Sequence, residues 1–371
     1  MLQLVLDTVR TQGPISRPEI AKRLGVSKPT VSSMVQTLLR ADLVVEDGLG
    51  PSSGGRPAIL IAFNARAGFV IGMDIGGSTA RAGIADLNGN VLKSVREDTD
   101  TGSEDRFVEQ LRRLKARLIE GAPVPPEKVL AVAIGTPGVI DPNMQVVRHA
   151  PNLPLLEAPG LIDRLRAALG TALFLHNDVN LAALGERWRG AGRGVDDFAF
   201  VSIGSGLGFG LVMGGQLYQG CSGRAGEFGY TPVFAGAAAT IEDVVAGPGI
   251  GRAHREAGGS GRPEDAFDEA DAGIEPGASV IAAFLEQLGW LLAALSTLLD
   301  PSRLVLGGGI GRRCASHLAQ LRDHVSKQTP FGPDIMVSHL EDDAGLIGAF
   351  AVALEESRPL LVRDAGVVRM R

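Results

Sequence analysis

Several side chains of this sequence are spaced as if to handle a polyol. In "FLHNDVNLAALGERW" an apolar strand at 173–175 runs out into His176, Asn177 and Asp178, and a helical pattern follows. A carboxylate at a strand end beside a cleft can take a proton from a sugar hydroxyl as a general base. Asn177 offers a donor and an acceptor to neighbouring hydroxyls. The same pair has a plainer reading, with Asn177 a turn residue and Asp178 a helix cap. Glu227, in the Gly-rich "GRAGEFGY" (223–230), is an acceptor for paired hydroxyls. Glu242, in "TIEDVVAGPG", opens a predicted helix and serves equally as an acid at a positive helix end. His176 reads as a packing residue, and Tyr230 as core or pocket rim.

Gly-rich turns surround these groups. "FVIGMDIGGSTARAGIADLNGNVL" is echoed by "FAFVSIGSGLGFGLVMGGQLYQG" at 198–220, each reading as strand, Gly-rich turn, strand, hairpin, strand. Such turns let backbone N–H groups approach phosphate oxygens without Cβ obstruction. Asp74 could hold a magnesium ion through water. Two copies, with "RLVLGGGIG" at 303–311, predict two similar lobes facing each other across a nucleotide cleft. The 50 glycines of the 371 residues cluster at such turns and form no low-complexity runs.

The first sixty residues have another character. Leu2, Val5, Leu6 and Val9 recur at helical spacing until Gly13-Pro14 breaks the run. In "SRPE" Ser16 is a predicted cap and Glu19 completes a capping box, opening a short helix that Gly25 ends. Ser27 caps a third helix whose Val31, Met34, Val35, Leu38 and Leu39 face inward. Lys28, Ser32, Ser33 and Gln36 are left outside, a small polar face suited to base edges and phosphates. The strand "LVVED", the hook "GLGPSSGGRP" and the return strand "AILIAF" form a wing, with Arg56 near its tip for a minor groove. Three helices and a wing in this order predict a winged helix-turn-helix.

The bulk properties fit. Residues 1–62 hold seven basic and five acidic side chains, whereas the whole chain carries −6. A mildly basic head on an acidic body suits DNA contact by the head alone. The length suggests two or three domains. The two cysteines, Cys221 and Cys314, make no C-x-x-C pair and imply a reducing cytoplasm. The apolar stretch 280–299 is interrupted by Glu286 and Gln287, so it reads as a buried or interface helix and not a membrane span.

Taken together, "DIGGSTARAG", "AIGTPGVID", "APNLP", "NDVNLAALGE", "IGSGLGFGLV", "GRAGEFGY", "LVLGGGIG" and "DDAGLIGAF" make the chain resemble the ROK family of repressors, open reading frames and sugar kinases. The "GGRPA" hook matches its repressor branch. The resemblance implies actin-like, hexokinase-like lobes of the ribonuclease H type. It implies phosphate-loop roles for Asp74, Gly76, Gly77, Ser78, Gly204, Ser205, Gly206 and Gly308. It gives sugar-contacting roles to Gly138, Asn152, Asn177, Asp178, Glu227 and Glu242, with Asp178 the catalytic base of kinase members. Family members carry a His after the Glu-x-Gly step and then a C-x-C-G-x-x-G-C zinc motif. Here Tyr230 replaces the His, and Thr240 stands where the last Cys would be. With these ligands gone, no zinc is expected. Many repressor members have also lost the first phosphate loop, which this sequence largely keeps, so Mg-ATP binding stays open.

The expectation is therefore a winged head over 1–64, a first lobe over 67–182 and a second over 183–371, with a helix around 344–356 packing back towards the first. The expected activity is that of a cytoplasmic repressor of carbohydrate metabolism. It would bind double-stranded operator DNA through Ser27, Lys28, Ser32, Ser33, Gln36 and Arg56 as a homodimer or homotetramer, require no cofactor, and respond to a sugar in the cleft. The alternative is an ATP-dependent sugar kinase that keeps a DNA-binding head.

Overall fold

A computed structural model describes residues 1–50, 57–141, 146–233 and 239–364. In the head, α1 (Leu2–Gln12) is followed by the two-residue strand β1 (Ile15–Ser16), α2 (Arg17–Leu24) and α3 (Lys28–Arg40). The wing strands β2 (Val44–Leu49) and β3 (Ile59–Phe63) then complete a sheet of order β1-β3-β2. This is the winged helix-turn-helix that the pattern predicts. Gly25 ends α2 in the left-handed region, and the Ser27 hydroxyl accepts the Thr30 N–H at 3.3 Å to start α3. Val31, Val35 and Leu38 are fully buried, each contributing about 1.5–3 kcal/mol. Met34 and Leu39 are only partly so. The capping box expected at Ser16 does not form: Ser16 makes no side-chain cap bond, because β1 pairs with β3, and Glu19 instead faces Arg23 at 3.6 Å.

The body has two sheets of one plan. In the first, β4 (Phe69–Ile75), β5 (Thr79–Asp86) and β6 (Val91–Asp98) run antiparallel. After α4 (Glu104–Glu120) comes β7 (Val129–Thr136), parallel to β4. A small ribbon of β8 (Val139–Ile140) and β9 (Val147–Arg148), then α5 (Leu161–Leu169), lead to β10 (Ala172–Asn177), parallel to β7. The order is β10-β7-β4-β5-β6. Helix α6 (Asp178–Arg189) crosses to the second sheet, where β11 (Phe198–Ile203), β12 (Leu207–Met213) and β13 (Gln216–Leu217) repeat the antiparallel start. The echoed sequences thus occupy matching places. Their alternation pairs buried Val201 with Phe209 as Ile71 pairs with Ile84.

Helices α7 (Ile241–Val245), α8 (Gly247–Glu256), α9 (Pro263–Asp271) and α10 (Gly277–Leu299) come next. The stretch 255–279, expected to be a loop with at most a short helix, thus holds α9 and the start of α10. Ala266 and Phe267 anchor α9 in the core of the second lobe. Strand β14 (Arg303–Gly307), α11 (Gly308–Arg313), α12 (Leu318–Gln328) and β15 (Asp334–Val337) complete the second sheet, of order β13-β12-β11-β14-β15. Helix α10 is long and apolar enough to cross a membrane by length and composition, but over half of that window is buried within the fold. The last helix, α13 (Ala344–Asp364), returns to the first sheet, where Ala349 and Phe350 join Val70, Ala85 and Ala133 in one apolar cluster that continues into the head. The division expected at 182/183 falls inside α6, which lies against α13 and β12 alike.

Candidate functional site: a polyol pocket beside a phosphate-turn cleft

Strand β10 ends where its side chains can matter. Asn177 caps α6, its Oδ1 accepting the Asn180 N–H at 3.0 Å, while its Nδ2 donates to the Gly138 carbonyl at 3.0 Å. It therefore fills the helix-cap reading and is oriented across to the next strand's turn. Asp178 Oδ1 accepts the Val179 N–H at 2.8 Å. Asn177 and Asp178 line a pocket of about 220 Å³ together with Gly138, Asn152, Gly204, Ser205, Gly206, Glu227, Tyr230 and Glu242. All six residues expected to contact sugar thus border one hollow.

Glu242, like Asp178, is held in place by a backbone N–H. Glu242 Oε2 accepts the Leu207 N–H at 2.8 Å, fixing its carboxylate beside the second Gly-rich turn. Thr240, where the resemblance places the last zinc-ligating Cys, forms a capping box with Asp243 that starts α7. The pattern T-x-x-D at 240–243 carries that signal. Among the described residues no group of three or more His, Cys, Asp or Glu side chains could hold a metal ion, and Tyr230 and Thr240 offer no soft donor for zinc. Glu227 stands on a short 3-10 turn, Glu227–Tyr230. Burial raises its carboxyl above the usual range, and the nearby Asp178 and Glu242 charges add to this. Burial likewise raises Asp178. A carboxylate with raised affinity for protons is a better base towards a hydroxyl.

Next to this pocket is a larger cleft of about 1240 Å³, shared through Asn152, Asp178, Gly204 and Ser205. Asp74, Gly76, Gly77 and Ser78 line its first-lobe side. The turn is closed by Gly76 N–H donating to the Thr79 carbonyl at 2.9 Å, and its partner by Gly204 N–H donating to the Gly206 carbonyl at 2.9 Å. Gly77 is required sterically: a Cβ there would run into the Asn152 carbonyl. Gly308 is placed differently from expectation. It adopts φ +75° at the start of α11 and backs onto the Ile203 carbonyl, while Gly309 lines the cleft.

Asp74 is a second strongly perturbed acid of the cleft. Burial, and then the Asp178 charge, push its carboxyl up to about 7, against the opposing pull of Arg81 at 3.7 Å. Arg81 also donates to Asp342 at 3.3 Å, and Asp342 accepts from Arg312 of the second lobe at 2.7 Å. This bridge between lobes escaped the sequence reading, as did Arg252, Arg255 and Arg313, which line the cleft. Spacing of three on α8 could have flagged Arg252 and Arg255. His149, at φ +53°, borders the polyol pocket and carried no sequence signal.

In the head, Ser27, Lys28, Ser32, Ser33 and Gln36 are all exposed on the start and outer face of α3. Arg56 lies outside the described residues.

Fold and site together define a two-lobed body with facing phosphate-type turns that carries a winged helix-turn-helix head. The chain belongs to the ROK family, whose sequence profile matches residues 70–356. A MarR family profile matches residues 4–49 of the head. The chain is similar to the xylose repressor of Caldicellulosiruptor bescii, 35% identical over 234 residues covering 62% of this chain. The match spans 58% of that repressor's length. It is also similar to the glucokinase of Thermotoga maritima, 31% identical over 77% of this chain and 97% of the enzyme. Its fold matches a crystal structure of a ROK family transcriptional regulator, a homolog of E. coli MLC protein, with a TM-score of 0.80, 23% identity and 98% of each chain covered.

Proposed function

We propose that this chain is a cytoplasmic repressor of carbohydrate genes whose operator affinity is set by a sugar or sugar derivative in the polyol pocket. The observation that carries this reading is the convergence of Asn177, Asp178, Glu227 and Glu242 on one small hollow, in a chain whose head presents an exposed polar α3. The relatives named as xylose repressors support it. A head of this kind binds an inverted repeat as a dimer, with one recognition helix per half-site. Trp290 and Leu298, exposed on α10, offer an apolar surface for such a homodimer or homotetramer. Sugar that favours a closed arrangement of the lobes alters how the heads meet DNA. To turn a 99:1 population around, it must prefer one state by about 5.5 kcal/mol. The experiment is a mobility-shift titration of DNA upstream of the gene, at fixed salt, across a panel of pentoses, hexoses and their derivatives. A shift that no sugar alters would refute the reading.

The second reading is an ATP-dependent sugar kinase. The intact phosphate-type turns, Asp178, and the glucokinase relatives favour it. The cleft suits a nucleotide: turn N–H groups at Gly77, Ser78 and Ser205 for phosphates, with Arg252, Arg255 and Arg313 also lining it, while Gly206 borders the smaller pocket. Mg-ATP there would supply the phosphoryl group. Asp178 would take the sugar hydroxyl's proton, and Asn177 and Glu242 would orient the ring. Turnover in a coupled assay that Asp178→Asn abolishes would establish this reading, and silence across the panel would remove it.

A further inference from the structure

A third hollow lies away from both sites, at the junction between head and body. It measures about 840 Å³ and is walled by α1, by α6 with the loop that follows it, and by α13. Its charged lining includes four arginines, Arg10, Arg187, Arg193 and Arg358, against the acids Asp196, Glu355 and Glu356. Neither the phosphate turns nor the polyol pocket uses this space.

We propose that this junction cavity binds a small oxyanionic metabolite, its carboxylate or phosphate group held between Arg10 of the head and Arg358 of α13. Both guanidinium groups have unfilled capacity. The Nε atoms of Arg10 and Arg358 are buried and make no hydrogen bond. Glu355 engages Arg358 through Nη1 at 2.7 Å, and Asp7 stands 3.9 Å from Arg10, beyond hydrogen-bond reach. Arg10 loses proton affinity first to burial and then to the neighbouring positive charge of Arg358. An oxyanion in the cavity meets both needs, since its lone pairs accept from guanidinium N–H groups of these two lining arginines and its charge relieves their repulsion. The acids nearly balance the arginines, so selectivity comes from these two donors and not from a general positive field. His176, which also lines the cavity, is held neutral by burial with its pKa pushed down to about 4.

The position gives the site a regulatory meaning. His176 borders the junction cavity, while the next two residues, Asn177 and Asp178, border the polyol pocket. A smaller hollow of about 260 Å³, lined by His176, Asn177, Asn180 and Gln219, lies between them. Because Arg10 belongs to the head and Arg358 to the body, the anion binds one arrangement of the two better than others. Operator DNA and anion then alter each other's affinity reciprocally.

Trp188 lines the cavity, with Arg189 stacked 3.9 Å over its ring, and the chain has only one other tryptophan. The full-length chain with Trp290→Phe therefore reports from this place. It is titrated at constant ionic strength with inorganic phosphate, malate, glucose 6-phosphate and glucose. A saturable change in Trp188 emission with phosphate, malate or glucose 6-phosphate, but not with glucose, is expected. Comparing phosphate with malate identifies the oxyanion. Arg10→Gln and Arg358→Gln should each weaken binding about tenfold or more, the loss of one charged hydrogen bond. Arg112→Gln, which removes a distant exposed charge, should leave it within twofold. Arg10→Lys, which keeps the charge and loses the planar guanidinium donor set, should fall between. The proposal is overturned by absence of saturation with all three anions, by an equal response to glucose, or by Arg10→Gln and Arg358→Gln variants that stay folded by circular dichroism and bind like Arg112→Gln.

Discussion

Replacing Asp74 by Asn should stabilise the protein, and by an amount that grows with pH. In the fold, burial and the Asp178 charge hold this carboxyl at about 7, whereas an unhindered aspartate sits at 3.8. An acid whose folded pKa is raised adds stability that is fully present below pH 3.8 and is lost as pH climbs to 7, because the unfolded chain ionises first. The loss is 1.36 kcal/mol per pH unit over roughly three units, so about 4 kcal/mol above pH 7. At pH 5 less than half of this has been lost. Asn cannot ionise and keeps the shape of the protonated acid, so it recovers these amounts. The pull of Arg81 is already contained in the value of about 7. For a chain of this size, about 4 kcal/mol corresponds to a rise in Tm of about 5 °C. Thermal unfolding of the wild-type and Asp74→Asn proteins at pH 5, 6, 7 and 8 measures it. The gap should widen steadily to pH 7 and then level. A gap that is constant across the range, or largest at pH 5, would show that Asp74 is not held protonated, and that Asp178 does not act on it as described.

Gly77→Ala should cut nucleotide binding sharply, because the new methyl meets the Asn152 carbonyl and must spread the turn; isothermal titration with a non-hydrolysable ATP analogue checks it. Asn177→Ala removes both the α6 cap and the bond to Gly138, and should cost about 1–2 kcal/mol of stability and at least tenfold in sugar affinity, read by thermal shift and by direct titration. Lys28→Ala should weaken operator binding for every sequence alike and reduce the salt slope by about one, whereas Gln36→Ala should relax preference at one base position. Metal analysis of the purified protein by mass spectrometry should find zinc well below one equivalent per chain, and stoichiometric zinc would contradict the donor set at Tyr230 and Thr240.

Much of the site was legible because its pieces are local. Gly-rich turns after apolar strands announce themselves by composition, and Asn177 and Asp178 are marked by the change from a two-residue to a helical period. The head was readable for the same reason, since Val31, Val35 and Leu38 show their spacing within a few residues. The Ser16 capping box was misread because a local pattern lost to a long-range contact, the pairing of β1 with β3. The Arg81–Asp342 link joins residues 261 apart in the chain, and nothing in either neighbourhood points to the other.

The amino-acid order alone thus determined the kinds of elements, their sequence, the turns able to face phosphate, and the duplication that makes two lobes. Those properties follow from torsional preference and periodicity over a few residues. Which acids share a hollow was decided only in three dimensions, as was the raising of Asp74 while Arg81 opposes it. The cavity that sets Arg10 beside Arg358 was decided there too. Electrostatic energy depends on separation through space and on how much water is excluded, and neither quantity is written along a chain.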